Sequence, residues 1–303
     1  MCMEAYFNKS TFSIQNPYKM KKLTIYLFII FLPFQMVFAQ GTSPKEDDVI
    51  KVLAIGNSFS EDALENYLYE LSAAAGKKIV IGNLYIGGAP LDLHLKNAYN
   101  NLKAYSYRKI NLDGTKKTTE QVSIEDALAD ENWDYVSLQQ ASPLSGKYNV
   151  IMQTLGDLWT YVFAHVHEDT RLVYHQTWAY QQDSKHEGFK NYDNNQKNMY
   201  DSIMSVTSRL EKSGDYAFIV PDGTTIQNGR TSSIGDHFTR DGYHLNLDYG
   251  RFAAALTWYA KLFDLDPTKT EYKPEKVTEE QAKIVKEAAK KAVKKPFKVS
   301  KVK

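Results

Sequence analysis

The chain has 303 residues, 43% of them hydrophobic and 24% charged, with 37 lysines and arginines set against 36 aspartates and glutamates. That balance excludes a disordered or fibrous protein and a strongly basic nucleic-acid binder, and it allows one large core with a small appendage. A single cysteine, Cys2, and the lack of any H-x-x-x-H or clustered carboxylate spacing give no reason to expect disulfides, thiolate chemistry, a metal or a cofactor.

Lys21-Lys22 precede an uncharged run from Leu23 to Phe38, and Val37-Phe38-Ala39 supplies the small residues of a signal-peptidase site before Gln40. The run holds Pro33 and Gln35 and falls short of the roughly 20 residues that span a bilayer. Residues 1–39 therefore read as a signal peptide with some preceding residues, and Met20 as the natural start. Their removal takes away Cys2 together with Lys9, Lys19, Lys21, Lys22 and Glu4, which moves the formal charge from +1 to about −2. The expected product is periplasmic or secreted, without a stable membrane anchor and without a nucleic-acid partner.

From Ile50 onward, short runs rich in β-branched residues alternate with longer amphipathic ones. This predicts strands at 50–56, 78–86, 133–139, 170–177 and 216–220, and helices near 60–75, 90–103, 149–167, 193–213 and 247–264. Such βαβ alternation builds a parallel sheet with helices on both faces. Tyr105 to Val122, with Asn111-Leu112-Asp113-Gly114 at its middle, reads as a hairpin inserted before a short helix at 123–130. Gln181 to Tyr192 is a polar loop after the fourth strand, at the sheet edge where ligands bind, and is a candidate wall of a site. After Asp264 a lysine-rich linker leads to Thr278-Glu279-Glu280-Gln281, which opens a last helix. The expected organisation is a main domain over 40–265 with a linker and helix over 266–303 packed on it.

Gly56-Asn57-Ser58-Phe59-Ser60 ends the first strand. Ser58 and Glu61 have the spacing of a helix capping box, so Ser58 is either a helix start or a nucleophile. A serine becomes a nucleophile only with a base, a group to orient the base, and donors for the oxyanion. Asp241-Gly242-Tyr243-His244 can supply the first two, because a carboxylate three residues before an imidazole can fix its tautomer. Gly87-Gly88 after the second strand and Gln139-Gln140 after the third can supply donors.

Together these blocks resemble the four blocks of the SGNH, or GDSL-like, hydrolase superfamily. More narrowly, G-N-S-F, G-G before a helix bearing His94, L-Q-Q-x-S, Tyr174-His175-Gln176-Thr177-Trp178 and D-G-Y-H-L resemble a subfamily of secreted bacterial proteins, over about residues 50–265. The resemblance implies a three-layer α/β/α sandwich around a five-stranded parallel, flavodoxin-like sheet. It implies Ser58 as nucleophile, His244 as base and Asp241 as its orienting acid. The oxyanion donors it implies are the N–H groups of Ser58 and Gly88 and an amide at Gln139 or Gln140. Two features depart from the superfamily: Asn57 stands where an aspartate is usual, and Gln139-Gln140 replaces a block that carries an asparagine donor. Ser60 is the rival nucleophile and is read instead as a helix-starting residue.

His175, Trp178, Tyr180 and His94 are the expected substrate contacts, since aromatic rings beside polar groups suit sugars. The expected function is an exported serine esterase that removes acetyl or similar acyl groups from carbohydrate. Its rival is a catalytically silent glycan-binding protein on the same fold.

Overall fold

The computed structural model describes residues 49–303; the signal peptide expected over residues 1–39 lies outside them. In the first strand, β1 (Val49–Gly56), Val52 and Ala54 enter one apolar cluster while Leu53 and Ile55 enter another. A strand without a polar face must be covered on both sides. It accordingly lies at the centre of the sheet, parallel to β2 (Lys78–Tyr85) on one side and to β5 (Tyr135–Leu138) on the other.

Beyond β5 the sheet continues in parallel through β6 (Arg171–His175) and β7 (Phe218–Val220). The five expected strands thus lie in the order β2-β1-β5-β6-β7, the flavodoxin-like arrangement. The hairpin, β3 (Tyr105–Ile110) and β4 (Lys116–Val122), adds antiparallel to β2 and makes the sheet seven-stranded and mixed.

Helices cover both faces. One cluster takes residues of α1 (Ser58–Leu64), α2 (Leu68–Ala74), α8 (Asp222–Gly229), α9 (Tyr249–Phe263) and α10 (Glu279–Lys294). The other takes residues of α3 (Leu91–Tyr99), α4 (Ile124–Leu128), α5 (Tyr148–Met152) and α6 (Leu155–Phe163). The long helix α7 (Gln196–Ser213) serves both, with Met199 and Ile203 in the first and Val206 and Leu210 in the second. In α10 the alanines at 282, 288, 289 and 292 are buried with Val285, and Asn228 of α8 donates to Ala288 O.

The helix expected over 60–75 is two. Tyr67 adopts a left-handed conformation, φ +67°, and the Glu65 carbonyl accepts from Lys116 Nζ at 2.9 Å instead of continuing the ladder. The helix expected over 149–167 likewise divides into α5 and α6. An unpredicted α-helix is α8, whose sequence DGTTIQNG holds two glycines and a single large apolar residue, so no helical period shows. All of it except Gln227 is buried.

Gly56 pairs with Tyr85, Leu138 with Tyr174, and His175 with Val220, so five strands end along one edge. Because β1 has β2 and β5 as neighbours on opposite sides, this edge has its crevice at the end of β1.

Gly82 leaves room for two packed side chains: a Cβ there would stand 2.8 Å from both Leu53 Cδ1 and Trp133 Cη2. Gly82→Ala is expected to cost about 1–3 kcal/mol through overpacking. Urea denaturation should show a lower midpoint at unchanged m.

Candidate active site

Asn57, the residue after β1, is in extended conformation and its Oδ1 accepts the Phe59 N–H at 3.0 Å, so Asn57 caps α1. Ser58 is therefore the first helical residue, and the capping role that the S-x-x-E spacing offers it is already filled. Its hydroxyl is left for another partner: Oγ lies 2.8 Å from His244 Nε2. His244 Nδ1 is 2.6 Å from Asp241 Oδ2, and the other oxygen of that carboxylate accepts the backbone N–H groups of His244, at 2.8 Å, and Tyr243, at 3.1 Å. Gly242, at φ +93°, turns the chain so that the acid and its imidazole face each other within four residues. Partial burial opposes ionisation of Asp241, but the bonds from the His244 ring and the two backbone N–H groups outweigh it and hold the carboxyl below the usual carboxylate range. A carboxylate on Nδ1–H leaves the Nε2 lone pair turned to Ser58, the geometry in which a hydroxyl can lose its proton as it attacks.

The loop carrying this pair is tied to α1 by Asp62, one turn after Ser58. Asp62 is fully buried; its carboxylate accepts the Leu245 N–H at 2.8 Å, Arg240 Nη1 at 3.1 Å and Arg251 Nε at 2.8 Å. Arg240 and Leu245 flank the Asp241–His244 turn, so one carboxylate fixes both its ends. Sequence reasoning passed over Asp62, although an acid on the inward face of the helix after the serine, with arginines on either side of the histidine motif, is a readable sign.

Ser58 and His244 open on a cavity of about 310 Å³ whose walls include Tyr85, Gly88, Ser142, His186 and Tyr243. Among the described residues no aspartate, glutamate, lysine or arginine lines it. The Ser58 N–H, first of its helix, has no intrahelical acceptor. The Gly88 N–H, at φ +67°, is left out of the turn whose closing bond runs from Ala89 N to Ile86 O at 3.2 Å. The polar loop expected as a wall contributes His186, whose Nδ1 accepts the Gly188 N–H at 3.0 Å. Burial first, and the neighbouring His244 second, lower its pKa, so in its neutral form Nε2 carries the hydrogen and can donate.

Six expected residues lie elsewhere. Gln139 and Gln140 do not line the cavity: Gln139 Nε2 donates to Asn57 Oδ1 at 2.8 Å, and Gln140 Oε1 accepts the N–H groups of Leu91 at 3.0 Å and Ala141 at 2.8 Å. Both are 2% exposed, and a buried amide must satisfy itself; these two do so by tying neighbouring loops together. His175 is buried beneath them, between Gln139 Oε1 at 2.7 Å and Asp222 Oδ2 at 2.8 Å. Trp178 stacks under Phe59, with ring centroids 4.3 Å apart, and its Nε1 donates to Tyr243 O at 2.7 Å. Tyr180 is fully buried, its hydroxyl 2.7 Å from Ser142 Oγ. His94 is fully buried against Tyr105, Nδ1 to hydroxyl 2.8 Å. Trp178 and Tyr180 support lining residues from behind, while Tyr85, Tyr243 and His186 line the cavity. Ser60 is also buried, its hydroxyl 2.7 Å from Asn57 O and 2.8 Å from Asn83 Oδ1.

The profile of a family described as a domain of unknown function, DUF4886, matches residues 51–292. The chain belongs to the DUF4886 family. A DUF4886 protein from Bacteroides uniformis is 48% identical, with a TM-score of 0.82 over 84% of this chain and 100% of its own. A proposed SGNH hydrolase from Slackia heliotrinireducens is 18% identical, with a TM-score of 0.47 over 70% of this chain and 97% of its own. A GDSL-like lipase from Bacteroides thetaiotaomicron is 12% identical, with a TM-score of 0.40 over 70% of this chain and 85% of its own. No curated protein matches.

Asp62→Ala is expected to lower stability by about 3 kcal/mol, the low end for breaking a buried ion pair, because both arginines keep some access to water. Calorimetry or urea unfolding checks it. His94 gives a pH-dependent expectation, because burial pushes its pKa from 6.5 down to about 4. The unfolded chain then binds a proton that the folded chain refuses, so stability falls as pH drops from 6.5 to about 4 and the loss is complete below that. The loss from this residue is about 3 kcal/mol, and His94→Gln should flatten that part of the stability curve.

Proposed function

We propose that this DUF4886 chain is a serine ester hydrolase of the SGNH type, exported from the cell, which removes acetyl or similarly small acyl groups from carbohydrate. The observation that carries the reading is the unbroken chain from Ser58 Oγ to His244 Nε2, 2.8 Å, and from His244 Nδ1 to Asp241, 2.6 Å, at the mouth of a cavity. Ser58 Oγ attacks the ester carbonyl while His244 takes its proton. The oxyanion is held by the Ser58 and Gly88 N–H groups, with the positive end of α1 beside it. His244 then returns the proton to the leaving alkoxide, and the acyl group stays on Ser58 until His244 activates a water to release it.

The substrate class rests on the walls. A cavity of about 310 Å³ is small for a ligand site and suits a short acyl group with one ring beside it. Walls without a carboxylate, ammonium or guanidinium favour an uncharged partner, and Tyr85 and Tyr243 with the Ser142 hydroxyl offer the mixture of faces and polar points that a sugar presents.

One observation favours a second reading, a silent glycan binder: with both glutamines turned away, the oxyanion would have two backbone donors and no amide side chain, and one lost donor typically costs about 10²–10³ in rate. Hydrolysis of p-nitrophenyl acetate and of acetylated oligosaccharides by residues 40–303 separates the two. Turnover by wild type is expected, with kcat at least about 10³-fold lower in Ser58→Ala and in His244→Ala. Equal inertness of all three, with sugar binding retained, would overturn the esterase reading.

A further inference from the structure

Beneath Ser58 runs a line of four buried polar side chains, none more than 2% exposed: Asn57, Gln139, His175 and Asp222. Hydrogen-bond direction along it is set from one end by the backbone. Asn57 Oδ1 accepts the Phe59 N–H at 3.0 Å, and Asn57 Nδ2 donates to Ala89 O at 3.0 Å, so the amide cannot be turned over without facing two donors and two acceptors at each other. With Oδ1 so placed, the Gln139 group 2.8 Å from it must be the NH₂, and Gln139 Oε1 then faces His175 Nδ1 at 2.7 Å. An amide oxygen only accepts, so Nδ1 carries a hydrogen.

At the far side of the ring Nε2 meets Asp222 Oδ2 at 2.8 Å. A neutral imidazole with its hydrogen on Nδ1 has a lone pair on Nε2, and a lone pair cannot bond to an ionised carboxylate. One proton must therefore lie between the two atoms, as imidazolium with carboxylate or as imidazole with carboxylic acid. We infer that His175 and Asp222 hold a buried proton that locks the amide of Asn57, and that they are thereby positioning residues for the two backbone donors beside Ser58. Asn57 reaches both: it caps the helix that begins at Ser58, and it holds Ala89, the residue after Gly88.

The surroundings favour retention of the proton. Desolvation raises the Asp222 pKa, and its contact with His175 opposes that only in part. From α9 it is faced by Thr257 and Trp258, and the His175 ring is flanked by Trp258 at 5.4 Å and Trp178 at 6.2 Å. Removal of the proton would leave two lone pairs opposed. The alternative is reversal of the His175 tautomer and of both amides, which would strip Phe59 of its cap.

The proton itself does not depend on Ser58 being a nucleophile; its consequence for rate rests on that reading. Nitrogen-15 NMR of histidine-labelled wild type tests the first part. The His175 ring, identified by its slow hydrogen exchange and its loss in His175→Gln, should carry a hydrogen on Nδ1 throughout the neutral range and share a second with Asp222. A ring bare at Nδ1 with its single hydrogen on Nε2 would overturn the proposal, whatever the activity. For the second part, Asp222→Ala should lower kcat about tenfold or more with KM little changed, as expected when a buried hydrogen-bond partner is removed. Asp222→Asn, whose amide can donate to Nε2, should recover most of that loss and remove any alkaline decline that wild type shows. A KM effect instead, or equal loss in both variants, would make the pair structural only.

Discussion

A carboxylate with no access to water must be neutralised where it stands, and Asp62 imposes that demand on the whole site. It stands on the helix that begins at Ser58, and the groups that satisfy it, Arg240, Arg251 and the Leu245 N–H, come from either side of the turn that carries Asp241 and His244. Two segments nearly two hundred residues apart are thus held in register by one buried ion cluster. Without it the 2.8 Å approach of Ser58 to His244 would rest on the bonds that hold the turn from its other side, Trp178 Nε1 to Tyr243 O and Gln181 N–H to Gly242 O.

A second layer of constraint works through neutral groups. Asn57 holds the end of β1, the start of α1 and the glycine turn after β2, and the buried line behind it to His175 and Asp222 takes its hydrogen-bond direction from that amide and backs it. Preorganised donors are effective because they need not move as charge develops. In the proposed mechanism the side-chain amides serve that end at one remove: Asn57 orders the backbone N–H groups, while Gln139 and Gln140 stay out of the cavity.

Much of the fold was legible in the sequence because its strands are buried on both faces and its helices are long and periodic. The five parallel strands and the hairpin fall where apolar runs and Asn-Leu-Asp-Gly mark them. What escaped was what periodicity cannot carry. Helix α8 is a buried, glycine-rich turn of chain; at the other break the Tyr67 backbone is left-handed and a lysine from a distant strand sits on the Glu65 carbonyl. At the site, D-x-x-H after the last strand and G-N-S-F after the first pointed to the residues that meet. Gln139, Gln140, His175, Trp178 and Tyr180 were placed at the right edge of the sheet but one layer too shallow. A sequence shows which strand end a side chain follows, but not whether it turns outward or folds back to satisfy a buried neighbour. Asp62 differs: Arg240 and Arg251 on either side of the histidine motif mark it in the sequence, but only the fold shows that one carboxylate takes both.

The most direct measurement is covalent capture of the serine by a small fluorophosphonate, read by intact mass and peptide mapping. A nucleophile activated by His244 should be phosphonylated at Ser58 alone, at a rate that collapses in His244→Ala, with Ser60 untouched behind Asn57 and Asn83. A wild-type chain that reacts no faster than His244→Ala, or that is labelled at another residue, would contradict the assignment of Ser58 as the activated nucleophile.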